Sequence, residues 1–173
     1  MMDTLQIPDP AGFPVFCRTD GPEATRRLGA DLAAVVRPGD ALLLHGPLGA
    51  GKTCLVQGLG AALGVDDEVI SPTFTLVNRY RGRQTIDHLD FYRIEADDDL
   101  TDIGVMEILD EVDAGSSLLV VEWPNLITSL LGDRIELLAV PGDEPNLRQW
   151  YARGVPDLPA AWRPIFPEEN PAC

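Results

Sequence analysis

Residues 46–53, Gly-Pro-Leu-Gly-Ala-Gly-Lys-Thr, match the spacing G-x-x-x-x-G-K-[ST]. Those residue types suit one task, holding a chain of phosphates. Glycines let successive backbone N–H groups curl round phosphate oxygens with no Cβ in the way. A helix opening at Lys52 adds its positive end to the same anion. Lys52 is the only lysine among thirteen basic residues. Where a generic positive charge suffices, this chain uses arginine. A slim ammonium reaches between β- and γ-phosphates where a planar guanidinium does not fit. Gly46, Leu48, Gly49, Ala50, Gly51, Lys52 and Thr53 are therefore expected to surround the phosphates, with the Thr53 hydroxyl on Mg²⁺.

Nucleotide chemistry on such a loop needs an acid at the end of a neighbouring strand. Glu122 follows the apolar run Leu118-Leu119-Val120-Val121. It is expected to serve the metal through a bound water, or to orient the attacking water. Asp87, His88 and Asp90 end another strand-like stretch, and an acid there can point to the γ-phosphate or the metal. His88 and His45 read as hydrogen-bonded structural histidines. Trp123 reads as packing. The hydroxyls of Ser71 and Thr73 precede a strand and can sense a γ-phosphate as a switch segment does; as plain polypeptide the same residues make a turn.

The elements that must position these groups follow from periodicity. A helix is expected from Pro22, with Leu28, Leu32, Val35 and Val36 on one face, ended by Pro38-Gly39-Asp40. Ala41-Leu42-Leu43-Leu44 is a strand buried on both faces. After the glycine loop a helix runs from Lys52 to about Leu63, closed by Gly64. Residues 73–80 and 85–91 form a hairpin across Arg81-Gly82-Arg83. Acidic residues 95–113 hold one or two short helices. Ser117–Val121, 134–140 and 148–153 are strands. Residues 1–20 are an irregular lead-in with one short strand.

The resulting fold class is α/β: a single-domain P-loop open sheet, mixed parallel and antiparallel, with helices on both faces. The domain is expected over 1–154. Residues 155–173, with prolines at 156, 159, 164, 167 and 171, are expected to be a loosely ordered tail.

Composition narrows the function. The net charge of −15 disfavours direct, tight nucleic-acid binding by this chain alone. Only Arg79, Arg81 and Arg83 cluster. No apolar run approaches the roughly 18 residues of a membrane span, and the start lacks the basic and apolar regions of a signal peptide. Three cysteines, Cys17, Cys54 and Cys173, contain no C-x-x-C pair. Disulfide and zinc frameworks are disfavoured, which fits a reducing, cytoplasmic setting.

Four blocks stand in order: HGPLGAGKT (45–53), SPTFTLVNRY (71–80), HLDFYR (88–93) and VVEWPN (120–125). Together they resemble the TsaE family, small P-loop ATPases of tRNA threonylcarbamoyladenosine biosynthesis, over roughly residues 20–150. LTDIGVMEILDE (100–111) also resembles that family. The resemblance implies binding and hydrolysis of ATP with Mg²⁺. It implies action beside TsaD and TsaB, and functionally TsaC, on the adenosine next to the anticodon of tRNAs reading ANN codons. The tRNA would be reached only through those partners. Carried over by position, Gly49, Gly51, Lys52 and Thr53 hold phosphates, Thr53 and Glu122 serve the metal, and Asp90 and Thr73 lie near the γ-phosphate. Lys52, Glu122, Asp90 and Thr73 are thus the expected catalytic set, and Gly21–Glu23 would approach the adenine. Pro47 and Cys54 depart from the family's usual acidic residue and threonine without removing a ligand. Two rival readings are a P-loop small-molecule kinase with Arg79, Arg81 and Arg83 as its lid, and a module using nucleotide only as structural glue. A GTP switch would need an [NT]-K-x-D loop, for which no lysine is left.

Overall fold

A computed structural model describes residues 6–94, 100 and 104–170. Among them, β1 (Val15–Asp20) leads directly into α1 (Gly21–Leu32), then β2 (Ala41–His45) and α2 (Lys52–Ala62). The hairpin β3 (Val77–Arg81) and β4 (Thr85–Asp90) follows, then α3 (Val105–Asp113) and β5 (Ser117–Glu122). The chain closes with β6 (Arg134–Pro141), β7 (Leu147–Val155) and the short β8 (Glu168–Glu169).

One mixed sheet holds these strands in the order β3-β4-β5-β2-β6-β7-β1-β8. Its centre is parallel: β5 and β6 both run alongside β2, and β4 alongside β5. Its margins are antiparallel, at β3–β4 and through β6–β7–β1–β8. β2 and β5 are buried along their whole length, which explains their unbroken apolar runs. Alternation along them feeds two cores. Leu42, Leu44, Leu118 and Val120 meet α1 and α2 on one face. Leu43, Leu119 and Val121 meet α3 on the other.

α1 and α2 cross with backbones in contact. A Cβ on Gly29 would overlap the Leu55 carbonyl, and one on Gly58 the Arg26 carbonyl. That intimacy fixes α2, and hence the loop before it, against the sheet.

Three expectations need correction. Residues 155–170 are not loose. Trp162 and Phe166, four apart, are 2% and 1% exposed and join the core under α1. β8 then pairs with β1. Composition suggested disorder, but two aromatic anchors outweigh it, and prolines are tolerated around a two-residue edge strand. Second, β3 begins at Val77 rather than residue 73. Residues 73–76 form a turn in which Leu76 adopts φ 66°, and the Ser71 and Thr73 hydroxyls are bonded to Asp90. Third, α1 stops at Leu32, several residues before Pro38. Val36 is still buried against the core, beyond the helix end. Of the acidic stretch, α3 is present, while 95–99 and 101–103 lie outside the described residues.

Candidate functional site

The glycine loop links the carboxyl end of β2 to the first turn of α2. Gly46, Gly49 and Gly51 have φ of 133°, 75° and 101°, a region other L-residues adopt only with strain. Gly46 is doubly constrained, because a Cβ there would meet the Ala139 carbonyl at 2.5 Å. Leu48 is exposed at the tip, and Ala50 is buried beneath it.

Lys52 is only 4% exposed, unusual for a lysine. Its Nζ donates to the carbonyls of Gly46 (2.8 Å) and Pro47 (3.0 Å), curling back under the loop. It also sits 4.2 Å from the centre of the Trp123 ring. Burial pulls the ammonium's pKa down, and the carboxylates of Glu122 and Asp90 oppose that pull. A buried cation whose hydrogen-bond acceptors are two main-chain oxygens is poised for a stronger anion.

The carboxylates arrive by register. Asp90 of β4 and Glu122 of β5 are direct partners across the parallel pair, on the face that carries α2. Glu122 Oε1 accepts from Thr53 Oγ1 at 2.8 Å and from His88 Nε2 at 3.0 Å. Asp90 Oδ2 accepts from Ser71 Oγ at 2.9 Å and Thr73 Oγ1 at 2.7 Å, and its Oδ1 from the Tyr92 amide at 2.8 Å. Trp123, next to Glu122, is left-handed (φ 56°, ψ 56°). Such a non-glycine conformation costs about 1–3 kcal/mol. It turns the ring over Lys52 and against Tyr92, with ring centres 5.1 Å apart.

Most of these groups border one cleft of about 490 Å³. Leu48, Gly49, Ala50, Gly51, Lys52, Thr53, Thr73, Asp90 and Glu122 all line it; Gly46 does not, and supplies a carbonyl to Lys52 instead. Gly21 and Pro22 line its far wall, and Glu23 does not. Asn146 and Arg148 line it too, and no sequence signal indicated them. They sit near the β6–β7 turn and reach the cleft because Thr19–Asp20 of β1 pair with Leu147–Arg148 of β7. Cys54 also borders the cleft, its Sγ on the Pro22 carbonyl at 3.2 Å; burial raises its pKa.

Other candidates lie elsewhere. None of Arg79, Arg81 and Arg83 lines the cleft. Arg79 is tied to Asp87 and Glu111, and Arg83 to the Ala62 carbonyl, so the kinase-lid reading loses its lid. His45 points to the opposite face of the sheet, where its Nε2 donates to buried Glu136 at 3.1 Å.

The donor set suits a magnesium nucleotide. Mg²⁺ prefers hard oxygen ligands and is commonly held by one or two carboxylates together with phosphates. Thr53 and Glu122 present such oxygens beside a loop whose glycines leave room for phosphate.

The family model described as "Threonylcarbamoyl adenosine biosynthesis protein TsaE" matches residues 19–148. The chain belongs to the TsaE family. A TsaE protein of Mycobacterium leprae is 40% identical over 136 residues, covering 74% of this chain and 84% of that one. One from Treponema pallidum is 38% identical over 115 residues, covering 66% and 82%. The crystal structure of Bacillus subtilis YdiB superposes with a TM-score of 0.66 at 28% identity, over 87% of this chain and 90% of that one. The stretch matched to TsaE includes the glycine loop, Thr73, Asp90 and Glu122; β8 and the buried Trp162 and Phe166 fall beyond it.

Proposed function

We propose that this chain binds ATP with Mg²⁺ in the cleft, hydrolyses it, and thereby supports threonylcarbamoyl modification of the adenosine beside the anticodon in tRNAs reading ANN codons. It acts in the cytoplasm with TsaD and TsaB, and downstream of TsaC, rather than as the transferase. The observation that carries this reading is the convergence of Lys52, Thr53 and Glu122 at the carboxyl ends of β2 and β5, with Thr53 and Glu122 already joined at 2.8 Å.

The placement of each residue supports the task proposed for it. The amides of 48–53 and the N-terminus of α2 receive the phosphate oxygens. Lys52 exchanges its two loop carbonyls for phosphate and offsets the charge that builds on the leaving oxygen. Thr53 would offer its hydroxyl to Mg²⁺, which would neutralise phosphate charge. Glu122 orients the attacking water and accepts its proton as the new P–O bond forms and the bond to the leaving diphosphate breaks. Asp90 holds Thr73 and Ser71 at the γ-phosphate end of the cleft. Gly21 and Pro22, with Arg148 nearby, border the space left for the nucleoside.

The acidic surface fits the division of labour. At −15 the chain repels RNA, so contact with tRNA falls to its partners. The test is ATP turnover by the purified chain with TsaD and TsaB. Wild type releases phosphate; Glu122→Gln retains nucleotide but turns over about a hundredfold more slowly. Phosphate passing to a metabolite instead of water would replace hydrolysis with kinase chemistry. Equal turnover by Glu122→Gln and wild type would remove Glu122 from the mechanism.

A further inference from the structure

His88 is fully buried on β4, two residues before Asp90. Its ring packs 6.3 Å from that of Tyr80. Its Nε2 lies 3.0 Å from Glu122 Oε1. A carboxylate only accepts, so Nε2 carries the hydrogen. Nδ1 has no partner among the described residues. Among the described residues the ring's polar link is therefore to Glu122 alone. A leucine or methionine would fill the same space without stranding a ring nitrogen in the core. Packing does not account for an imidazole here; its hydrogen bond to Glu122 does.

That bond has a directional consequence. Thr53 and His88 both donate to Oε1, one from α2 and one from β4. Oε2 accepts from no described residue, and Glu122 borders the cleft. The carboxylate is thus clamped by one oxygen with the other left to act.

We propose that His88 is a positioning residue that fixes Glu122 so that Oε2, and not Oε1, meets the water or metal in the cleft. This rests on the ATP-hydrolysing reading of the site. Loss of the Nε2 donor leaves Thr53 as the sole side-chain restraint among the described residues, and the glutamate then samples other rotamers.

Two variants separate positioning from packing. His88→Leu fills the space and cannot donate; His88→Gln places an amide N–H near the Nε2 position. With both shown to be folded by thermal denaturation, His88→Leu lowers kcat about tenfold or more, with KM and metal-free nucleotide affinity changed by less than about threefold. Its Mg²⁺ requirement for nucleotide binding rises, and His88→Gln recovers most of both losses. A nucleotide-free crystal structure of His88→Leu gives a readout independent of turnover, showing Glu122 displaced from Thr53. An unmoved Glu122 in that structure overturns the proposal, as does wild-type kcat in His88→Leu or a folded His88→Gln as impaired as His88→Leu. If wild type itself releases no phosphate, hydrolysis as the function fails, and the Glu122 position in the His88→Leu crystal still decides the role of His88.

Discussion

Lys52 shows how much one side chain's shape matters. Its Nζ is enclosed by two loop carbonyls and the Trp123 ring, with 4% of the residue exposed. Lys52→Arg keeps the charge but brings a wider, planar head into that space. Calorimetry should show nucleotide affinity reduced by about a hundredfold or more, close to the loss in Lys52→Ala. A modest change in Lys52→Arg would mean that charge alone suffices. Asp90 makes a different prediction. Three donors converge on it, two of them the Ser71 and Thr73 hydroxyls leading into the turn at 73–76. Asp90→Asn replaces one acceptor oxygen with an NH₂, so that turn loosens. Amide exchange across 71–76 should accelerate by about tenfold or more while β4 itself stays protected.

Elements position these residues through close backbone contact and strand register. α2 sits where it does because Gly58 meets the Arg26 carbonyl of α1. Gly58→Ala inserts a methyl where main chain already lies. It should destabilise the fold by about 2–3 kcal/mol in a denaturant titration, although alanine is the better helix former. Much at this scale was legible in the sequence. Continuous apolar runs marked β2 and β5, and the glycine–lysine spacing marked the loop and the start of α2. Glu122 was legible because it ends an apolar run. The pairing of Asp90 with Glu122 was not, because register belongs to two strands at once. Arg148 and Asn146 were invisible for the same reason: only the antiparallel addition of β7 to β1 brings them to the cleft. The turn at 73–76 escaped because Thr-Phe-Thr-Leu carries strand propensity, and the hydrogen bonds to Asp90 override it.

At the scale of the whole molecule, the chain beyond β7 closes the fold. Trp162 and Phe166 cover the core that supports α1, and β8 extends the sheet beyond β1. Truncation after Pro159 strips both aromatics from the core. The melting temperature should fall by about 10 °C or more. A truncated chain melting with wild type would restore the loose-tail reading.

The face opposite the cleft contributes through charge. Burial alone would raise the pKa of Glu136, but hydrogen bonds from His45, Arg153 and Arg134 outweigh it and hold the value at about 2, against an ordinary 4.5. A depressed folded-state pKa stabilises above the unfolded value, and that stability is lost as pH falls through the folded one. The difference in stability between wild type and Glu136→Gln should therefore be full above pH 4.5 and shrink as pH falls towards 2. Denaturant titrations of the two proteins across that range check it, and a constant difference would refute it.

The most direct test of the account is a calorimetric titration of Mg²⁺-ATP into the purified wild-type chain and into Lys52→Ala. Wild type should show one saturable site, and a Lys52→Ala protein that still melts cooperatively should show no measurable binding. Equal affinity in the two, or no binding to wild type alone or with TsaD and TsaB, would contradict it.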